Sequence, residues 1–361
     1  TPVTASETRL ENALVRVDLA GDGTIGSIYD KEHRREALAD GANRLLLWED
    51  LPYSWDAWDI SHYYRETEPE QAVLTERRLV ESGPLRAVVE QVLVVGESTI
   101  RQRIVLEADA RLVRVENEVD WRESHRQLRA QAVPAIHAEE ATYEIQYGTV
   151  RRPAHANTLQ DAAKFEVAGQ RFAHLSQPDY GVGLVNDSKY GHYIRDGGME
   201  LTLLRSPKDP DPQADMGHHR FTYGYYPHAG GWETSDLLER AHELNSPPLV
   251  RATSAAGDAA SEFDVAGGAV KIAAVKPAED GEGVVLRLKK APKIDSSRSP
   301  SRSRIIRPLC AIEMAPRSSE TTIATALCKN RSSSGQPARK TVVVPRPVAC
   351  RRQSASRRPP A

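Results

Sequence analysis

Leu112–Trp121 reads LVRVENEVDW. Val113, Val115, Asn117, Val119 and Trp121 occupy one set of alternate positions, and Arg114, Glu116, Glu118 and Asp120 the other. Successive strand side chains point to opposite faces, so this alternation predicts a strand with one buried and one wet face. Such strands belong to antiparallel sheets covered on one side. Working outward, Val15-Arg16-Val17-Asp18-Leu19 alternates in the same way. Gly21-Asp22-Gly23 is a turn signal, and Thr24–Tyr29 reads as the returning strand of a hairpin. Further candidates are Arg44–Trp48, Leu85–Val95, Thr99–Glu107 and Thr142–Tyr147, then Val270–Val275 and Gly283–Leu288. One stretch has helical spacing: Leu237, Leu238, Ala241 and Leu244, with Asp236 as N-cap, Glu239 three residues on and a stop at Asn245-Ser246-Pro247-Pro248. Many strands and few helices predict an all-β chain built on a β-sandwich. The expected boundaries are a sandwich over 1–230, a helical linker over 231–250, a small and incomplete β domain over 251–288, and a tail over 289–361.

A chain of 361 residues can bury a large core. The near-neutral total hides a split. Of 48 Lys and Arg and 50 Asp and Glu, residues 288–361 hold 17 and 3, so the body is strongly acidic and the tail basic. Cys310, Cys328 and Cys350 all lie in the tail, so the body has no disulfide framework or cysteine metal site. That suits a reducing, cytoplasmic compartment. No apolar run approaches the roughly 20 residues that span a bilayer. TPVTASETRLENA shows no signal peptide and no initiating Met, and reads as the start of a fragment or processed chain. The tail has no Phe, Trp, Tyr or His and is rich in Arg, Ser and Pro, a composition that predicts disorder. It begins abruptly inside the strand-like Val284-Val285-Leu286-Arg287-Leu288, as translation out of frame from a GC-rich gene would. The other reading is a basic nucleic-acid arm. Against it, the tail has no interleaved aromatics and the body no basic patch.

An ordered set of segments resembles the C-terminal half of glycoside hydrolase family 38 α-mannosidases. The segments are LENALVRVDLAGDGTIGSIYDKEHRREAL, NRLLLWEDLPYSWDAWDISHYY, ATYEIQYGTVRRPAHANTLQDAAKFEV, YGVGLVNDSKYGH, LLRSPKDPDPQADMGHHRFTYGYYPH and VKPAEDGEGVVLRL, spread over Leu10–Leu288. The pattern is closest to the bacterial and fungal cytosolic-type branch. It departs at QAVPAIHAEEA and in the tail. The resemblance implies a galactose-mutarotase-like sandwich followed by a small β domain. It also implies that the catalytic zinc, its His and Asp ligands and the Asp nucleophile sit on a preceding domain that this chain does not carry. The expected function is the C-terminal part of a retaining, zinc-dependent enzyme hydrolysing terminal α-D-mannosyl residues. This chain would support the cleft and contact an α-mannoside or oligosaccharide, with its own N-terminal catalytic domain as partner. Alone it would be inactive, with no cofactor. The alternative is a non-enzymatic carbohydrate-binding sandwich. Oligomeric state is left open.

The residues richest in chemistry lie in Tyr180–His228. Asn186-Asp187-Ser188-Lys189-Tyr190 follows a strand-like run, so its side chains fall at a sheet end. The resemblance brings this region towards the sugar, with Lys189 as chief contact beside Asp187 and Tyr190; otherwise it is a solvated polar turn. Trp55-Asp56-Ala57-Trp58-Asp59 offers two indoles and two carboxylates, suited to sugar C–H faces and hydroxyls. In a strand, Trp55, Ala57 and Asp59 would share a face, and Asp56 and Trp58 the other. The same residues would equally suit packing in a domain interface. A glycosidase needs two carboxylates, but the resemblance places the nucleophile upstream, so Asp56 and Asp59 are expected only to bind or pack. Asp211, Asp215, His218, His219 and His228 lack regular zinc-ligand spacing, and the histidines are expected in loops or an interface against the preceding domain. There is no P-loop or dinucleotide fingerprint.

Overall fold

The computed structural model describes residues 2–248, 250, 270–279, 284–290, 310–314, 322–328 and 338–344. The chain divides into two units, Thr1–Val250 and Arg251–Ala361.

The first unit is built from three antiparallel sheets. Thr4–Ser6, Arg9–Glu11, Val15–Leu19, Ile25–Asp30 and Arg35–Glu36 pair in sequence order. A nine-stranded sheet runs Gly148–Pro153, Glu140–Ile145, Phe172–Ser176, Tyr180–Asn186, Gly217–Ala229, Val113–Trp121, Ser98–Glu107, Arg86–Val95, Val73–Ser82. A six-stranded sheet runs Val167–Ala168, Gly191–Arg195, Gly198–Arg205, Arg126–Ala132, Arg44–Glu49, Glu70–Gln71. One apolar core takes Val17 and Ile28 from the first sheet, Val115, Val119 and Tyr225 from the second, and Leu45, Leu128 and Leu201 from the third. The chain is thus an all-β sandwich, as expected.

Val113–Trp121 alternates buried and half-buried residues along its whole length, and Val15–Leu19 does the same. Asn117 falls on the buried face because it has partners there. Gln91, Gln102 and Asn117 stand opposite one another across three neighbouring strands. The Gln102 amide nitrogen donates to Asn117 Oδ1 at 2.8 Å and to Asn43 Oδ1 at 3.2 Å. Its carbonyl accepts from Asn43 Nδ2 and Gln91 Nε2, both at 2.9 Å. Gln91 also donates to the Gly23 carbonyl at 2.8 Å, and Tyr225 OH accepts from the Asn43 amide at 3.0 Å. Asn43 leads into the six-stranded sheet and Gly23 lies in the N-terminal hairpin turn, so one amide cluster ties all three sheets.

The helix forms at Leu237–Asn245. It does not stand off as a linker. Leu237 and Ala241 are buried with Phe172, Val185 and Tyr226 of the nine-stranded sheet. Gly183 permits this, since a Cβ there would collide with the Leu237 side chain. Asp236 occupies the N-cap position but makes no side-chain cap. Its carboxylate is taken by the Tyr226 hydroxyl and Arg240, and Ser235 Oγ accepts from the Leu237 amide instead.

In the second unit Val270–Pro277 pairs antiparallel with Val284–Lys290. Cys310–Met314, Thr322–Cys328 and Ala338–Val344 form an antiparallel meander. The turn expected at Glu279-Asp280-Gly281 lies largely outside the described residues, as does the rest of the tail expected to be disordered.

Three histidines are buried in the sandwich. His174 and His228 stack at 5.0 Å, Nε2 to Nε2 at 3.0 Å. His228 is therefore a buried strand residue, and His218 and His219 lie on the same strand, Gly217–Ala229, rather than in the loop or interface expected. Burial, then the neighbouring imidazole, pulls His174 well below the usual histidine range, and burial also lowers His228. Burial, with Arg129 and Arg152 nearby, brings His192 down to about 3.

Gln102→Leu leaves the amides of Asn43, Gln91 and Asn117 short of partners, each costing ~1–3 kcal/mol. Urea denaturation should show a loss of about 3 kcal/mol in all with the slope unchanged. The histidines are neutral in the fold but bind protons below about pH 6.5 once unfolded. Their contribution is full above that pH and is lost as the pH falls below it. Thermal unfolding should thus shift downwards between pH 7 and 5, and a midpoint unchanged over that range would contradict the assignment.

Candidate functional site

The strand Tyr180–Asn186 is buried along its length and ends in a tight polar turn. Asn186 Oδ1 accepts from the amides of Ser188 at 3.2 Å and Lys189 at 2.7 Å, which folds the chain back. Asp187 is committed to this turn. Its amide donates to the Thr222 carbonyl at 3.1 Å, and its carboxylate accepts from the Thr222 amide at 2.9 Å and Ser188 Oγ at 2.9 Å. Lys189 is different. It is half-buried, with Nζ 4.3 Å from the centre of the Phe221 ring. Burial lowers its pKa, opposed by the carboxylates of Asp187 and Asp215. Among the described residues no hydrogen bond or ion pair reaches its ammonium, which keeps three N–H donors free. Tyr190 is exposed. A shallow cleft of about 240 Å³ beside this turn is lined by Asp187, Arg101, Glu116, Glu118, Arg220 and Thr222.

Trp55–Asp59 is a turn, so the alternation of faces that a strand would give does not apply. Trp55 has φ +63°, and its carbonyl accepts from the amides of Trp58 at 2.8 Å and Asp59 at 2.9 Å. Both indoles are about 70% exposed and sit edge to face, 6.5 Å between centres. Leu51, Tyr53 and Tyr63 of the same loop are exposed too. Asp56 is an anchor. Its Oδ2 accepts from the amides of Lys208 at 2.5 Å and Asp209 at 3.1 Å and lies 3.2 Å from His125 Nε2. Burial pushes its pKa up, but these donors outweigh burial and hold it below the usual carboxylate range. Asp59 is exposed, with Oδ1 accepting from the Ile60 amide at 2.8 Å.

The two groups border one connecting segment, residues 206–216, between Gly198–Arg205 and Gly217–Ala229. Asp56 holds its start at Lys208 and Asp209, and Lys189 feels Asp215 near its end. His219 binds the Asp215 carbonyl at 2.7 Å. Zinc finds no donor set here. Among the described residues no three His, Cys, Asp or Glu side chains converge on a point.

A buried charge cluster with no local sequence signature lies beneath the Trp loop. Arg129, fully buried, bonds Glu166 and, at 2.8 Å, Glu200. Arg65 reaches Glu200 at 2.6 Å and lies 3.7 Å from the centre of the Tyr193 ring, and Tyr64 OH donates to Glu166 at 2.8 Å. These partners are up to 135 residues apart, so no local pattern could reveal them.

The geometry defines an all-β sandwich domain whose aromatic and cationic groups gather at strand ends. Residues 10–213 match the Glycosyl hydrolases family 38 C-terminal domain, and the chain belongs to that family. It is 35% identical to Alpha-mannosidase G of Dictyostelium discoideum over 77% of this chain and 27% of that protein. It is 37% identical to human Alpha-mannosidase 2C1 over 78% and 28%. The chain thus spans just over a quarter of the length of these two relatives. A family 38 protein from Enterococcus faecalis shares the fold, with TM-score 0.68 and 16% identity over 80% of this chain and 39% of that one.

Removing a partner from a buried charge cluster costs ~3–5 kcal/mol, whereas surface changes stay within about 0.5. Arg129→Ala should therefore cost about 3–5 kcal/mol in urea denaturation. Lys189→Ala, which breaks no hydrogen bond, should cost less than about 1.

Proposed function

We propose that this chain forms one wall of the sugar cleft in a retaining, zinc-dependent enzyme that hydrolyses terminal α-D-mannosyl residues. The family membership and the names of the relatives support the reaction class. The observation that carries the site is the Lys189 ammonium, half-buried with its donors unused. A sugar hydroxyl is a fitting acceptor for such a group. Trp55 and Trp58 present aromatic faces of the kind that pack on sugar C–H surfaces. Asp59 and Tyr190 are exposed and can accept from or donate to hydroxyls. Asp187 and Asp56 act one step back, holding the two turns in place.

Zinc, its ligands and the nucleophile belong, in this proposal, to a catalytic domain that is this chain's partner. A cytoplasmic setting is part of the same reading, suited by a body without cysteine; recovery of the protein from a secreted fraction would sink that part.

The second reading, a self-sufficient carbohydrate-binding module, draws on the exposed Trp55–Trp58 pair. Calorimetry with α-mannobiose separates the two. Binding below about 1 mM by this chain alone favours the module, since its binding free energy would need no other domain. For the cleft wall, the chain alone should not cleave an aryl α-mannoside, with or without zinc. Fused behind a family 38 catalytic portion, it should show a KM raised about tenfold by Lys189→Ala. Zinc-dependent turnover by this chain alone, or an unchanged KM in the fusion, would overturn the proposal.

A further inference from the structure

We infer that Arg205 is the positioning residue that latches the Trp55–Asp59 turn in the form that displays its indoles. Arg205 ends the strand Gly198–Arg205, and its side chain is 17% exposed. Its Nε donates to Asp50 Oδ2 at 2.6 Å. Its Nη2 donates to the carbonyl of Asp56 at 3.2 Å and that of Asp59 at 2.7 Å. Asp50 is buried and follows directly on the strand Arg44–Glu49, so it is the root of the loop. Asp56 and Asp59 belong to the turn that carries the indoles. One planar guanidinium therefore ties the root of the loop to its tip.

The latch is itself fixed to the core. The Arg205 carbonyl accepts from Nε1 of the fully buried Trp121 at 3.2 Å. Asp56 adds the separate tie to Lys208, Asp209 and His125.

The turn needs such a hold for two reasons. Trp55 sits at φ +63°, a region that costs a bulky residue free energy and persists only where the surroundings over-determine it. Both indoles stand in solvent, so little apolar burial holds them there. What keeps them displayed is polar: three hydrogen bonds from one cation, two of them to carbonyls of the turn. Lysine cannot replace that fork, because its ammonium is a single point on a flexible stem.

The functional consequence rests on the sugar-contact reading proposed above, whereas the latch does not. The test uses the full 361-residue chain carrying Arg205→Lys or Asp50→Asn. Hydrogen–deuterium exchange is followed at the amides of Trp58 and Asp59, which donate to the Trp55 carbonyl. Near-ultraviolet circular dichroism reports the indole pair. We expect exchange at these two amides to quicken at least about tenfold and the indole signal to fall. Exchange within Val113–Trp121 and the far-ultraviolet spectrum should stay as in the parent chain. Should Arg205→Lys fail to fold, the nearly isosteric Asp50→Asn decides alone. Parent-like exchange at Trp58 and Asp59 in the folded variants overturns the latch.

In the fusion with a family 38 catalytic portion, Arg205→Lys is expected to raise KM while leaving kcat within about twofold. If Trp55→Ala and Trp58→Ala leave KM unchanged, the sugar reading fails while the exchange result stands, because exchange is measured without sugar.

Discussion

Much of the sandwich depends on the side-chain amide of Gln102. Buried between the sheets, it must satisfy its donors and acceptor inside the protein or forfeit several kcal/mol. It does so with Gln91, Asn117 and Asn43. Gln91, Gln102 and Asn117 lie in one row across three strands, so the row is complete only in one register. A slip of one residue would turn an amide to the wet face and strand its partners among valines. Asn43 extends the constraint to the six-stranded sheet, and the Gly23 carbonyl extends it to the N-terminal hairpin. Apolar burial drives the sheets together; the amide row determines how they align.

The outer face of the six-stranded sheet meets a related demand in a different way. Arg129, Arg65, Glu166 and Glu200 lie under the loop that carries Trp55 and Trp58, and each charge has a partner of opposite sign. Tyr64, Trp48 and Tyr193 frame the guanidinium of Arg65. The C-terminal end of the loop is thus pinned by ion pairs, and its start by Arg205 and Asp56. Exposure of the aromatic residues between these pins is then a property of a held loop rather than of a loose one. At the other turn, Asn186 and Asp187 spend their polar atoms on backbone amides, which leaves Lys189 as the group with unspent donors.

What could be read in advance follows from the range of each interaction. Val113–Trp121 and Val15–Leu19 were legible because alternation is a local consequence of one wet face. Arg126–Ala132, RQLRAQA, has no such alternation, since Arg129 is buried by partners far along the chain and Gln127 is buried beside it, its Oε1 accepting from Arg129 at 3.3 Å. The conformation of Trp55–Asp59 was not legible locally: it is a turn because Arg205 and Lys208 hold its carbonyls and its carboxylate. Asp236 stood where a cap belongs, yet Tyr226 and Arg240 compete for its carboxylate. Lys189 and Tyr190 were legible as a polar strand end. That Lys189 lies over the Phe221 ring was not, because Phe221 comes from a strand more than thirty residues on.

By itself, the sequence determined the all-β class, most of the strands of the sandwich, the acidic body with its basic tail, and the ordered segments that mark family 38. These rest on side-chain periodicity and on composition, which each stretch carries without its neighbours. The tertiary structure decided which polar residues are scaffold and which remain available to a ligand. That division depends on which carbonyls, amides and charges meet across sheets, and hydrogen bonds between residues 100 or more positions apart leave no trace in local spacing.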